Sequence, residues 1–170
     1  MPPFIFKGKI ILKAIRMVGI SKSFPGVTAN DGIDFEVDNQ TIHCLLGENG
    51  SGKTTLMNIL FGLYKKDAGE IFINEKLVEI KNPSDAERLG IGMVHQQFML
   101  LNQFTVWENI VLGKEPGNFF IDRKAARKEV EGLIKSYGFK LNVDQKISEL
   151  SIGMKQRTEI LKLLYKGMSI

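Results

Sequence analysis

Apolar and polar positions alternate along "GIDFEV" (residues 32–37) and then give way to a nearly continuous apolar run, "TIHCLLG" (41–47). The first pattern predicts a half-exposed strand and the second a strand buried on both faces. Past the glycines, Leu56, Ile59, Leu60 and Leu63 recur at helical spacing, so residues 41–64 read as strand, glycine-rich turn, helix. "GEIFINEKLVEI" (69–80) predicts a hairpin turning near Asn74-Glu75, without the glycine that usually eases such a turn. "GIGMVHQ" (90–96) is a second short buried strand.

The second half is helical in pattern. Thr105 and Glu108 have capping-box spacing at the start of "TVWENIVLG". Asp122 is a plausible N-cap for a helix whose apolar face runs through Ala126, Val130, Leu133, Ile134 and Tyr137 and stops at Gly138. A last helix starts after Ser151 and is expected to bury Ile160, Leu161, Leu164 and Met168. Strands come first and helices later, an α/β core leading into a helical lobe.

Composition narrows the class. The 170 residues are 44% hydrophobic and 25% charged, ordinary globular usage. Lys+Arg (23) exceeds Asp+Glu (19) by four, and the basic residues are scattered, with doublets at Lys65-Lys66, Arg123-Lys124 and Arg127-Lys128, which disfavours a nucleic-acid groove. The single cysteine, Cys44, sits in the predicted buried strand, which fits a reduced setting. No apolar run reaches the roughly 18 residues needed to cross a bilayer, and Lys7, Lys9 and Lys13 interrupt the start where a signal peptide would be apolar. His43 and His95 lie on predicted buried strands without a second metal ligand at suitable spacing, so they read as core histidines.

The turn "GENGSGKTT" (47–55) satisfies G-x-x-x-x-G-K-[ST] through Gly47, Gly52, Lys53 and Thr54, between a predicted strand and a predicted helix. Glycines at 47, 50 and 52 let backbone N–H groups approach phosphate oxygens with no side chain between. The helix start adds unsatisfied N–H groups and partial positive charge. Lys53 supplies a point charge to the β- and γ-phosphates, the Thr54 hydroxyl can ligate Mg²⁺, and Thr55 can bond the α-phosphate. These residues point to a Mg-nucleoside triphosphate.

"GENGSGKTT", "IGMVHQQF", "TVWENIVLG" and "LSIGMKQR", in this order, resemble the ATP-binding subunits of ABC transporters over about Met17 to Ile170. "FPGVTANDGIDFEV" and "GIGMVHQQFML" resemble the importers of simple sugars and nucleosides. The resemblance implies a P-loop NTPase core of the ABC ATPase type: residues 1–16 an extension or first-strand lead-in, 17–96 the ATP-binding core with antiparallel hairpin elements, 97–170 a helical subdomain. It implies ATP and Mg²⁺ as ligands, held by Phe24 stacked on adenine, by Gly47, Asn49, Gly50, Ser51, Gly52, Lys53, Thr54 and Thr55, and by Ser151 and Gly153 of a second copy in a head-to-tail dimer. Gln96 is the glutamine expected to reach Mg²⁺ and the attacking water; Gln97 is adjacent, and motif alignment favours Gln96. "LSIGM" departs from the family's "LSGGQ" at Ile152 and Met154 but keeps Ser151 and Gly153. Trp107, Phe98 and Phe104 either line a groove for a membrane-subunit helix or belong to the core.

The implied partners are transmembrane permease subunits, a second ATP-binding domain and, indirectly, a solute receptor, with no nucleic acid; the implied place is the cytoplasmic face of the membrane. The acidic strand that the family uses for Mg²⁺ is not found: "FFID" (119–122) is short and starts a helix. By resemblance that strand should begin after Ile170, so these residues are expected to be the first part of a longer ATPase, with an incomplete core and negligible hydrolysis by themselves. A nucleotide-binding regulator that does not hydrolyse, or an ATPase of the same superfamily acting on nucleic acid or translation, stand as alternatives.

Overall fold

A computed structural model describes residues 12–117 and 121–170. The chain divides into two compact units, Met1–Leu89 and Gly90–Ile170. The lead-in expectation for residues 1–16 falls largely outside the described residues, and from Lys13 onward the chain is already strand.

The first unit is built on a four-stranded antiparallel sheet of order β2-β1-β3-β4. Its strands are β1 (Lys13–Phe24), β2 (Val27–Asp38), β3 (Ala68–Ile73) and β4 (Lys76–Val78). β1 pairs with β2, Met17 opposite Phe35, and with β3, Met17 opposite Ile71. Helix α1 (Lys53–Leu60) adds Leu56, Ile59 and Leu60 to a core that contains Met17, Ile20, Ile71 and Ile73. Asn74 and Glu75 form the β3–β4 turn with φ of 49° and 62°, the left-handed pair of an I′ turn achieved without glycine. Glu75 also accepts the Lys13 amide N–H at 3.0 Å, which ties the turn to β1. A short helix α2 (Pro83–Arg88), capped by Asn82, follows.

Two expected buried strands are absent as strands. Residues 41–48 have no regular structure and are exposed, with Ile42 at 98% and Leu46 at 89% of full exposure. An apolar run becomes a strand only when a neighbouring chain takes up its backbone N–H and C=O groups. Among the described residues none does so here. Cys44 and His43 are correspondingly exposed rather than core residues; His43 makes an edge contact with the Phe35 ring at 5.3 Å. Leu63 lies past the end of α1 and is exposed.

The second expected strand, 90–96, is also irregular, but pairing begins within it. Ile170 donates to the Gly90 carbonyl at 3.0 Å and accepts from the Gly92 N–H at 2.8 Å, two bonds that bracket Ile91 in parallel register. His95 is half-buried in this irregular segment.

The second unit contains α3 (Val106–Val111), α4 (Arg123–Ser136), a 3₁₀ turn at Ile147–Glu149 and α5 (Ile152–Lys166). The predicted capping box forms, since Thr105 accepts from the Glu108 amide while Glu108 accepts from the Thr105 amide at 2.9 Å. Asp122 caps α4 as expected, accepting the Ala125 N–H at 2.9 Å; Phe119 and Phe120 of the rejected acidic strand lie outside the described residues. The core joins Val106, Ile110, Val130, Ile147 and Leu161. Trp107 is 9% exposed and belongs to this core. Ile160, expected to be buried, faces outward at 39% exposure, while the polar Thr158 and Glu159 beside it are buried. Tyr137 caps α4 and is exposed, and no described helix is long and apolar enough to cross a membrane.

Tyr165, on α5, donates its hydroxyl to Glu129 of α4 at 2.7 Å. Burial, then the Glu129 carboxylate, pushes the phenol up to about 12. A group raised in the fold contributes stability that is complete below its unfolded value of about 10 and is lost as pH rises through the folded one. Alkaline titration by ultraviolet absorbance should therefore show one of the three tyrosines ionising near 12, and Tyr165→Phe should remove that late step. Cys44 in the 170-residue chain should react with a thiol reagent within about tenfold of the free-cysteine rate. A protected thiol would show that 41–47 has found a cover.

Candidate nucleotide-binding site

Two glycines turn the chain from the exposed run 41–47 into α1. Gly50 has φ 87° and Gly52 φ 84°, both in the left-handed region. Gly52 is the N-cap of α1 and brings no capping side chain, so the amides of Lys53, Thr54 and Thr55 have no acceptor within the helix. A Cβ on Gly52 would lie 2.2 Å from the Ala29 carbonyl oxygen and 2.7 Å from Asn30 Nδ2, so only glycine fits against β2. At Gly47 a Cβ would meet Ser51 Oγ at 2.8 Å.

Lys53 folds back over its own loop. Its Nζ donates to the carbonyls of Gly47 and Glu48, both at 2.7 Å, and to Ser51 Oγ at 3.3 Å. Neutral oxygens alone hold this ammonium, and no described carboxylate is paired with it, which leaves its charge available to an anion. Thr54 is exposed and Thr55 half-buried in the same first turn; Asn49 is exposed beside them. The donor set fits a polyphosphate: free helix-terminal amides, glycines that leave the loop open, and one mobile cation. For a divalent cation the described residues offer no cluster of three or more His, Cys, Asp and Glu. Mg²⁺ would rest on the Thr54 hydroxyl and the ligand's own oxygens, as it commonly does with nucleotides.

Asn30 was not foreseen as part of this site. Its side chain is buried at 5% exposure, and Nδ2 donates to the Gly52 carbonyl at 3.4 Å, fixing the glycine turn to β2. Its Oδ1 is buried with no hydrogen-bond partner among the described residues. The available signal was a polar side chain on the inward face of a strand.

Phe24, at the end of β1, is half-buried with Tyr64 packed edge-on at 5.4 Å and Lys22 Nζ 5.5 Å from its ring centre. The remaining expected residues lie in the second unit. Gln96 is exposed, whereas Gln97 lines an open pocket of about 330 Å³ with Phe98, Leu100, Asn102, Ile147 and Lys155. Phe104 is 38% exposed. Ser151 caps α5, its Oγ accepting the Met154 N–H at 3.4 Å. Ile152 is 69% exposed, and a Cβ on Gly153 would meet nothing within 4 Å, so this helix terminus presents an open surface.

Residues 30–170 match the family model described as "ABC transporter". The chain belongs to the ABC transporter family. Among curated relatives of this ABC chain, the guanosine import ATP-binding protein NupO of Bacillus subtilis is 54% identical over 157 residues, and the nucleoside import ATP-binding protein NupA of Lactococcus lactis is 48% identical over the same length. Each alignment covers 92% of this chain and 31% of the relative, so the chain spans about a third of their length. A nucleotide-free ATP-binding cassette from an ABC transporter, 27% identical, superposes with a TM-score of 0.77 over 92% of this chain and 66% of that one. A second ABC cassette, solved in its ADP conformation, gives 0.77 at 26% identity with the same coverage. The P-loop NTPase fold of the ABC type, with its antiparallel sheet, is thereby established.

Gly52 and Gly153 should respond differently to alanine. Gly52→Ala meets backbone in a left-handed conformation and should destabilise the chain by at least about 1–2 kcal/mol. Gly153→Ala has room and lies in a helix, so it should be neutral or stabilising by up to about 1 kcal/mol. Denaturant titration of both variants checks the contrast.

Proposed function

We propose that this ABC chain is the nucleotide-binding part of an ATPase subunit that powers import of a small solute, with Mg-ATP held at residues 47–55. The observation that carries the reading is Lys53: its ammonium closes over the glycine turn on neutral oxygens only, beside helix amides that have no acceptor. Phosphate oxygens offer it stronger, charge-assisted bonds.

In this reading Gly47, Asn49, Gly50, Ser51 and Gly52 line the phosphate chain, Lys53 grips the β- and γ-phosphates, and Thr55 takes the α-phosphate. Phe24 stacks on adenine, its ring held edge-on by Tyr64. Bound Mg²⁺, reached by Thr54 and Gln96, supplies charge neutralisation on the phosphates. Gln96 orients the attacking water. Ser151 and Gly153 of a second copy close over the γ-phosphate, for which the open N-terminus of α5 is suited. No described strand after Thr55 ends in an acidic residue of the kind the family uses to polarise the water, so residues 1–170 alone are expected to bind nucleotide and turn it over negligibly.

The solute is proposed to be a nucleoside. Identity to the guanosine and nucleoside import proteins, 54% and 48%, exceeds the 45% shared with the ribose import ATP-binding protein of Clostridium tetani. The proposed partners are permease subunits at the cytoplasmic face of the membrane, with a solute receptor acting through them. The scatter of basic residues speaks against nucleic acid.

Calorimetry with Mg-ATP tests the site. The unaltered protein should bind, and Lys53→Ala should weaken binding by about 10- to 100-fold, the worth of charge-assisted hydrogen bonds lost from one cation. Equal affinity in the two proteins would remove Lys53 from the site.

A further inference from the structure

The segment after Gln96 has no regular structure, yet side chains of two helices hold the backbone N–H and C=O groups of Met99 and Leu101. Glu159 of α5 accepts the Met99 N–H, and Lys162, one turn further along α5, donates to the Met99 carbonyl at 3.4 Å. Asn109 of α3 accepts the Leu101 N–H at 2.7 Å and donates to the Leu101 carbonyl at 3.1 Å. The side chains of Met99 and Leu101 meanwhile point outward, 62% and 42% exposed. The holding groups are the buried ones: Glu159 is 6% exposed and Asn109 is 0%.

A carboxylate is costly to bury unless hydrogen-bonded, and an apolar side chain of similar size would fill the same place on α5 more cheaply. What the carboxylate adds is a directional bond to one backbone amide. That amide lies three residues after Gln96, and the carboxylate lies eight residues after Ser151 on one unbroken helix. A helix of that length is stiff, rising about 12 Å over those residues.

We propose that Glu159 is a positioning residue for hydrolysis. By fixing the Met99 amide to α5, it sets where the backbone three residues past Gln96 sits, and so limits where Gln96 can reach. The proposal rests on the reading of Gln96 given above. It requires no contact between Glu159 and nucleotide; misplacing a reacting group by about 1 Å is enough to cost about a hundredfold in rate.

The test uses the full natural polypeptide that carries this chain. Hydrogen exchange on the unaltered protein, followed in peptides covering residues 97–101, should show slow exchange despite the irregular backbone; exchange at the unstructured rate would overturn the clasp without any variant. Steady-state ATPase assays then compare Glu159→Leu, Glu159→Gln and Gln96→Ala. Glu159→Leu should lower kcat at least about tenfold with KM for ATP changed less than about threefold. Glu159→Gln, which keeps an acceptor oxygen, should recover turnover to within about threefold and restore slow exchange. Retained turnover in Glu159→Leu, alongside lost turnover in Gln96→Ala, would sink the inference and leave the Gln96 reading standing. Unchanged turnover in Gln96→Ala would remove that reading and the inference with it.

Discussion

The start of α1 is the constraint around which the first unit is organised. A helix leaves its first amides without intrahelical acceptors, and here the N-cap is a glycine that supplies none. Gly52 can hold its left-handed turn only because β2 lies close enough to leave no room for a Cβ, and Asn30 ties the two together. The sheet thus fixes the glycine, the glycine fixes the direction of the helix, and the helix presents the amides. Lys53, curled over carbonyls at 2.7 Å, adds a mobile positive charge to the same turn. Phosphate recognition, as proposed, requires little more than this.

The second unit solves a different problem. Its irregular segment 97–102 has no sheet to satisfy it, so Glu159 and Asn109 act as substitutes for a neighbouring strand. Buried polar side chains in this role bond in one direction only, which gives a loop a defined place at the expense of core apolarity. The capping box at Thr105 and the cap at Ser151 serve the same end, since they determine where α3 and α5 begin. Surface ion pairs contribute differently. Arg127 and Asp144 are exposed, and their mutual hydrogen bonds raise the guanidinium and lower the carboxyl. In water such a pair adds little to stability.

Local chemistry was legible in the residues themselves. The glycine-lysine turn, the hairpin at Asn74-Glu75, the capping box at Thr105 and Glu108, and the N-caps at Asp122 and Ser151 all follow from spacing, because each depends on residues within a few positions of one another, while the ABC family was legible as a resemblance of several motifs. What spacing could not reveal is whether an apolar run has a partner. Residues 41–47 carry the pattern of a buried strand, and Ile42 is almost fully exposed, because a strand is a relation between two segments. The buried places of Asn30, Asn109 and Glu159 were equally hidden: each is polar, and only the backbone groups opposite them, at Gly52, Leu101 and Met99, make their burial tolerable. The sequence by itself determined the glycine-lysine turn and the helix N-caps at Thr105, Asp122 and Ser151, which are short-range matters of backbone conformation. Tertiary structure alone decided which strands pair and which polar groups are buried, since both depend on what the rest of the chain brings alongside.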